Sequence, residues 1–225
     1  MNSMYQQLMQ LPLFQGVSTD VITALVEKLP FHFLKYRSNE QIVAAGDPCT
    51  HIRFIVSGKV RVVMNCSRLK VSLEQTLSTP NVLAPDYLFG RETVYPFTAV
   101  AEGPCGILQL LKGDYIKMIN TDKVFLFNIL NYLSSGSQRG TAMALAAKDG
   151  SVDERLAMLM NVLTLNGATD VVLKYKQKDL CSLLGTQRTT LVAMLDRLAE
   201  QEILEYGSSE MKFFDLAALN AILLR

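Results

Sequence analysis

The chain has 225 residues, of which 49% are hydrophobic and 19% are charged, and its formal net charge at pH 7 is +1. This length and composition predict an ordered globular protein of one large or two small domains, and they exclude a disordered chain. No apolar run approaches the roughly 18 to 20 residues of a membrane span, and the N-terminus lacks the basic segment of a signal peptide, so we expect a cytoplasmic protein without a membrane segment.

The cysteines lie far apart, with neither a CxxC pair nor an N-terminal cluster, at Cys49, Cys66, Cys105 and Cys181. This spacing predicts free thiols in a reducing compartment. It does not favour an iron-sulfur cluster, and the sequence offers no other grouping of metal ligands, so we expect no metal site.

Two groups of hydrophobic residues at helical spacing precede residue 30, and Leu8, Leu11, Ile22 and Leu25 belong to them. They predict short helices that pack on a following β-domain. Ser18 precedes the second group and is a candidate N-cap, because its hydroxyl can accept a hydrogen bond from a free backbone N–H of the first turn.

Short β-like runs separated by glycine and proline occupy residues 31–110, with no helical run among them. Short strands separated by glycine and proline in this way predict an antiparallel barrel or jelly roll. Tight turns are predicted at Gly46-Asp47 and Ser57-Gly58. The last two runs, residues 97–102 and 105–111, are predicted as separate strands.

A long helix is predicted from residue 120 to about residue 148, in which Phe127, Leu130 and Leu133 belong to an apolar stripe. The stripe fits the seam of a parallel two-helix dimer. Residues 134–140 contain two glycines and are poor helix formers. The sequence leaves two alternatives open for them, a close approach of two backbones or a segment that a signal tightens.

A hinge is predicted at Asp149-Gly150, just before the next helix. Ser151 and Glu154 then form the S-x-x-E pattern of a capping box, in which each side chain accepts a hydrogen bond from the backbone of the other residue.

Residues 176–201 predict two short helices joined by a tight turn. Gly185 can adopt the positive φ that ends the first helix, and Thr186 is a candidate N-cap for the second. The second helix has a polar first turn and an apolar rear, which is typical of a recognition helix whose first residues reach base edges in the major groove. A surface helical hairpin without a partner would give the same pattern.

Two strand-like runs follow within residues 203–214, on either side of Gly207-Ser208-Ser209. A β-hairpin in this place completes a winged helix-turn-helix. With the wing included, the run from Gln177 to Phe214 resembles the DNA-binding domain of the bacterial regulator family that includes the cyclic-AMP receptor protein and the fumarate-nitrate reduction regulator. Residues 42–64, IVAAGDPCTHIRFIVSGKVRVVM, are similar to the cyclic-nucleotide-binding β-roll of that family.

This resemblance implies an α+β fold with a cyclic-nucleotide-binding-like sensor domain over residues 1–119. It further implies a dimerisation helix and hinge over residues 120–149 and a winged helix-turn-helix domain over residues 150–225. The implied function is that of a homodimeric transcription regulator, not an enzyme, that binds a near-palindromic duplex site and works with RNA polymerase.

The segment from Val82 to Glu102, which we call the effector segment, departs from the family pattern. The family carries a Gly-Glu pair for the ribose hydroxyl and, twelve residues after the Glu, an Arg-Ser-Ala triplet whose arginine pairs with the cyclic phosphate. The aligned residues here are Ala84-Pro85 and Phe97-Thr98-Ala99. A buried phosphate opposite Phe97 would lack its bidentate cation, so we expect no binding of cyclic AMP or cyclic GMP. Arg91 in the same loop is either a solvated residue or a substitute cation in a rebuilt pocket.

The identity of the effector is otherwise open. Some members of the family sense gases through haem, and Cys49 and His51 lie two residues apart on a predicted strand, where they can share a face. Haem ligation and a structural role are the alternatives for this pair. A β-roll enzyme would need clustered His, Asp or Glu side chains on strands, whereas the only histidines of the barrel region, His32 and His51, show no H-x-H spacing.

The family reads bases through a Ser-Arg-Glu-Thr-Val pattern, which aligns with Gln187-Arg188-Thr189-Thr190-Leu191. Arg188 keeps the arginine and is the predicted guanine contact. Because Thr189 replaces the glutamate and Ala193 replaces a second arginine, we expect a different half-site. Arg197 is predicted to be solvated or paired near Asp196. The remaining predicted DNA contacts are Gln187 and Thr189 to bases, and Lys176, Lys178 and Thr190 to phosphates.

The charge of the predicted DNA-binding half is low. From Gly150 onward the sequence has eight Lys or Arg and ten Asp or Glu. We therefore expect a modest DNA affinity with a shallow dependence on salt.

Overall fold

The computed structural model describes residues 8–224 and divides them into two compact units. The N-terminal unit contains the described residues up to Val62 together with Leu77–Ser135. The C-terminal unit contains Val63–Thr76 and the described residues from Gly136 onward. The domain limits at residues 119 and 149 stay a prediction. No described helix is long and apolar enough to cross a bilayer.

The N-terminal unit begins with a 3-10 turn at Pro12–Phe14 and a helix, α1, at Thr19–Lys28. The predicted cap is confirmed, since the Ser18 hydroxyl accepts a hydrogen bond from the Val21 backbone N–H at 3.4 Å. Leu8, Leu11, Ile22 and Leu25 are buried, and so is Phe14, whose ring packs edge-on against Phe54.

Antiparallel strands form the body of this unit, as predicted. They are β1 His32–Tyr36, β2 Gln41–Val43, β3 His51–Cys66, β4 Val71–Ser78, β5 Asn81–Leu83 and β6 Thr98–Leu111. β1 and β2 pair with β6, and β5 pairs with β3. The end of β3 and most of β4 belong to the C-terminal unit.

Two glycine positions in this sheet differ from the prediction. The turn predicted at Ser57-Gly58 is wrong, because both residues lie inside β3. Gly58 has φ +80°, and a Cβ atom there would lie 2.3 Å from the Pro104 carbonyl oxygen, so only glycine fits. The runs predicted as separate strands are one strand, β6, which continues through Gly103 at φ +85°.

Two helices follow the sheet, α2 at Lys112–Thr121 and α3 at Lys123–Asp149. The long helix thus begins three residues later than predicted, and it runs unbroken through residues 134–140. Its first turns have two apolar faces. Phe125 and Ile129 are buried against the N-terminal unit, whereas Phe127 and Leu130 are 59% and 47% exposed.

The C-terminal unit combines helices with a small sheet. Its elements after α3 are α4 Val152–Leu163, β7 Ala168–Tyr175, α5 Gln177–Leu183, α6 Arg188–Glu200, β8 Leu204–Tyr206, β9 Glu210–Phe213 and α7 Leu216–Ala221. The strands lie in the order β4-β7-β9-β8. One hydrophobic core joins the helices to this sheet, and it includes Leu156, Leu173, Leu180 and Leu195.

The capping box predicted before α4 is confirmed. The Ser151 hydroxyl accepts from the Glu154 N–H at 3.2 Å, and the Glu154 carboxylate accepts from the Ser151 N–H at 2.6 Å. The hydrogen bond from the Ser151 backbone lowers the pKa of the Glu154 carboxyl.

Replacing the Ser151 cap with alanine is expected to lower the free energy of unfolding of the C-terminal unit by about 0.5–2 kcal/mol, because a backbone N–H of α4 loses its acceptor. Hydrogen exchange measured over residues 151–163 checks this. Ser208→Ala, at an exposed wing serine, is the matched control and should stay within about 0.5 kcal/mol. Equal exchange in the two variants would contradict the capping role.

Candidate nucleic-acid interface

Helix α6 has the amphipathic arrangement predicted for a recognition helix. Arg188, Thr189 and Thr190 in its first turn are exposed, and so is Ala193 one turn later. Its rear side chains are at most 4% exposed and belong to the core of the unit: Leu191, Met194, Leu195 and Leu198. Burial of the rear fixes the helix and leaves its first turn facing solvent.

The turn before α6 closes the preceding helix with backbone bonds. Gly185 has φ +57°, as predicted, and its N–H donates to Ser182 O at 3.3 Å while the Thr186 N–H donates to Cys181 O at 2.9 Å. This pair is a Schellman motif. The prediction of Thr186 as N-cap is wrong, because the motif uses Thr186 to end α5, and Gln187 takes the N-cap position instead.

The start of α6 carries positive electrostatic potential. Gln187 makes no side-chain capping bond, and no acidic residue lies in the first turn. The free backbone N–H groups and the helix dipole therefore favour an anion here, and the Arg188 guanidinium adds a full charge. Lys176 and Lys178, at the start of α5, are also exposed.

The wing is held in place by tyrosines. β8 and β9 pair antiparallel around the Gly207–Ser209 turn, as predicted. Two hydrogen bonds from Tyr175 hold this turn: its N–H donates to Ser209 O at 2.8 Å, and its hydroxyl donates to Gly207 O at 3.1 Å. Burial raises the pKa of Tyr175 to about 12. Tyr206 of the wing donates to the Asp196 carboxylate of α6, which links the wing to this helix.

Arg197 is exposed, as one alternative of the prediction has it, but its ion-pair partner is not a neighbour of Asp196. Its guanidinium pairs with the carboxylate of Asp153 in α4, 44 residues away in sequence. The side chain of Asp153 is 20% exposed. Arg197 therefore joins α6 to α4, and its charge is already paired within the unit.

The effector segment has buried residues at the positions that depart from the family pattern. Ala84 is buried in the left-handed conformation, with φ 43° and ψ 50°, and Pro85 begins a 3-10 turn. The Phe97 ring is 0% exposed and lies 6.1 Å from the ring of Tyr95. The Thr98 hydroxyl accepts from the Ala45 N–H at 3.2 Å. Arg91 is exposed.

A second cation lies beside this segment, and sequence analysis missed it. Arg53 pairs across the sheet with Leu83, next to Ala84, and its guanidinium donates to the Tyr95 hydroxyl. Its Nε is buried and has no hydrogen-bond partner among the described residues. An arginine between the core residues Ile52 and Phe54 was the available signal.

Cys49 and His51, the candidate haem ligands, have local partners. The Cys49 thiol is 3% exposed and lies 4.0 Å from His51 O, and burial raises its pKa. The His51 Nδ1 lies 2.9 Å from the Thr50 hydroxyl. Within residues 8–224, no three His, Cys, Asp or Glu side chains are grouped as metal ligands.

Sequence analysis also missed an insertion into the C-terminal unit. Residues 63–76, the end of β3 and the start of β4, form a hairpin that belongs to this unit although the sensor strands surround it in sequence. We call it the inserted hairpin. Its strand β4 lies next to β7 in the sheet.

Known proteins resemble this chain in both halves. A family model described as a cyclic nucleotide-binding domain matches residues 33–122, and one described as a Crp-like helix-turn-helix domain matches residues 154–222. A cyclic AMP receptor protein from Thermus thermophilus is 23% identical over 216 residues, which cover 94% of this chain and 96% of that protein.

The crystal structure of the Thermus thermophilus catabolite activator protein has the same overall fold. It matches with a TM-score of 0.50 at 20% sequence identity, over 95% of this chain and 98% of that chain. Three findings agree with one another: two family models in this order, a relative matched along nearly its whole length, and a winged helix-turn-helix that follows an antiparallel β-domain in sequence. The chain belongs to the family of bacterial transcription regulators that includes the cyclic-AMP receptor protein and the fumarate-nitrate reduction regulator.

Proposed function

We propose that this regulator binds near-palindromic duplex DNA as a homodimer and reads base edges through the first turn of α6. The observation that carries the proposal is the exposed run from Gln187 to Thr190, which has no acidic neighbour in its turn and has a fully packed rear. Arg188 is the base contact, with Gln187 and Thr189 beside it. Lys176, Lys178 and Thr190 contact phosphates.

The exposed face of α3 supports the homodimer. Phe127 and Leu130 place apolar surface in solvent on the face opposite the buried Phe125 and Ile129, with the half-buried Leu133 one turn further. A second copy that packs its own α3 here would bury these side chains. Two-fold symmetry would then place the recognition helices about 34 Å apart, which is one turn of DNA.

The sensor unit does not bind cyclic AMP in this proposal. Phe97, whose ring is 0% exposed, and Ala84-Pro85 align in sequence with the residues through which the family holds the phosphate and the ribose. A cyclic phosphate placed there would face the Phe97 ring, and the nearby Arg53 guanidinium is already held by the Tyr95 hydroxyl, so the phosphate would be buried without a bidentate cation. A different signal at this unit would shift α3 between two arrangements, and the bound regulator would then act on RNA polymerase.

Selection of bound sequences from a random duplex pool tests the proposal. Purified protein, without nucleotide, is expected to enrich a near-palindrome at low and moderate salt, and added cyclic AMP should change neither the sequence nor the yield. Enrichment only with cyclic AMP would overturn the assignment of Phe97 and Pro85. Failure to enrich any sequence, with or without nucleotide, would contradict autonomous DNA binding by the dimer.

A further inference from the structure

The inserted hairpin lies along β7 and reaches the first helix of the helix-turn-helix. The Thr76 carbonyl accepts from the Thr169 hydroxyl at 3.5 Å, the Glu74 carboxylate lies 3.1 Å from Lys174 Nζ, and Lys70 Nζ lies 3.5 Å from the Asp179 carboxylate. From Thr76 back to Lys70 along the hairpin, the contacted residues advance from Thr169 in β7 to Asp179 in α5. The tip of the hairpin, residues 67–70, is therefore next to the start of α5.

The hairpin is anchored, so its tip has a fixed place in the unit. Gln75 is 0% exposed, and its amide donates to Leu163 O at 3.3 Å and accepts from the Leu165 N–H at 2.9 Å. Val71 and Leu73 belong to the core of the C-terminal unit. Three further side chains of the hairpin pack partly against that core: Met64, Cys66 and Leu69.

The tip of the inserted hairpin adds positive charge to the surface at the start of α5. The hairpin contains two cations, Arg68 and Lys70, against the single carboxylate Glu74, which already pairs with Lys174. Arg68 is exposed, and the Lys70 side chain is 69% exposed. Lys70 lies at the start of α5 through its contact with Asp179, and Arg68 is two residues away in the same turn of the hairpin.

Lys70 also offsets an unfavourable charge. Asp179 is the acidic residue in the first turn of α5 and its side chain is 12% exposed, close in sequence to the phosphate contacts Lys176 and Lys178. A carboxylate there would repel a DNA phosphate. An exposed ion pair such as Lys70–Asp179 adds little to folding stability. The main effect of Lys70 is therefore to reduce the repulsion between Asp179 and an anionic partner.

We propose that the tip of the inserted hairpin is part of the DNA-binding surface, and that Arg68 and Lys70 contact the phosphate backbone of the same duplex that α6 reads. The inference rests on the proposed DNA-binding function. It makes a segment encoded between sensor strands a contributor to DNA affinity, and it supplies cations that the count from Gly150 onward leaves out. Phosphate contacts carry no base information, so the hairpin strengthens binding without changing the preferred sequence.

The test measures the affinity of the full-length protein for its selected operator over a range of salt concentrations. The double variant Arg68→Gln, Lys70→Gln is expected to flatten the plot of log affinity against log salt by about 1.8 for two lost phosphate contacts, or about 0.9 for one. Its base preference should equal that of the unchanged protein. Both side chains are exposed, so thermal unfolding should not change.

Lys117→Gln is the matched control. Lys117 is 71% exposed and pairs with Asp114, whose side chain is 14% exposed, but this pair lies in the N-terminal unit. Its salt slope should equal that of the unchanged protein. A normal slope in the double variant, while the unchanged protein binds its operator, would overturn the hairpin proposal alone. Absence of operator binding by the unchanged protein would overturn the proposed function and this inference together.

Discussion

Arg188→Ala is expected to remove base discrimination at one position of each half-site while the protein keeps its fold. The side chain is exposed at the first residue of α6, where a guanidinium can donate two hydrogen bonds to guanine O6 and N7. Each such pair contributes about 1–3 kcal/mol of discrimination, which corresponds to roughly 5- to 150-fold in affinity. Truncation at Cβ removes both donors and disturbs no buried contact.

The measurement compares operators that carry the selected guanine with operators that carry another base at that position. The unchanged protein should prefer the guanine, and the variant should bind all versions with similar affinity. Arg197→Ala is the matched control on the same helix, because that guanidinium pairs with Asp153. It should lower stability and keep the base preference. An unchanged guanine preference in Arg188→Ala would refute the assignment.

Gln75→Leu is expected to release the inserted hairpin from the C-terminal unit. Leucine has a similar size but leaves the Leu163 carbonyl and the Leu165 N–H without their partner. An unsatisfied buried backbone group costs about 1–3 kcal/mol, so the pair should cost roughly 2–6 kcal/mol. Hydrogen exchange should accelerate over residues 63–76 and 163–169, with little change in the N-terminal unit.

Two further variants separate this effect from a general loss of packing. Gln41→Leu, at an exposed strand glutamine, should leave exchange unchanged. In Gln75→Glu, burial raises the pKa of the introduced carboxyl, and only the protonated form can donate to Leu163 O. Its folded-state pKa lies above the unfolded value, so the variant should be most stable at low pH and lose stability as pH rises through the folded pKa. Similar exchange in Gln75→Leu and Gln41→Leu would contradict the anchoring role.

Local sequence signals predicted the helix-turn-helix well. The capping box at Ser151, the positive φ at Gly185 and the three-residue wing turn after Tyr206 each depend on a few neighbouring residues. Such features follow from backbone sterics and side-chain hydrogen bonds within one or two turns. For this reason they can be recognised without knowledge of the rest of the fold.

Features that depend on distant residues could not be predicted. Gly58 has the composition of a turn, yet it lies inside a strand because the Pro104 carbonyl approaches it from another strand. Arg197 finds its partner 44 residues away, and Gln75 finds its partners in Leu163 and Leu165. No periodicity within a single segment encodes these contacts.

In the candidate site, too, the features set by neighbouring residues were predictable and those set by distant residues were not. The exposure of Arg188, Thr189 and Thr190 follows from the apolar rear of one helix, and the sequence predicted it. The cation Lys70, which lies 3.5 Å from Asp179 at the start of α5, comes from a segment more than a hundred residues earlier, so a count of charges from Gly150 onward could not include it. The roles of all these residues toward DNA stay predictions.

The inserted hairpin limits where this chain can be cut to exchange its domains with those of another regulator. A fragment cut at Gly150 would keep β7 paired with β9 but would lose β4 from its other edge, together with Gln75 and two core side chains, Val71 and Leu73. An exposed strand edge of this kind invites pairing with other chains. The DNA-binding half is therefore not a portable module that begins at Gly150, and a chimera with a foreign N-terminal domain would have to carry residues 63–76 along with it.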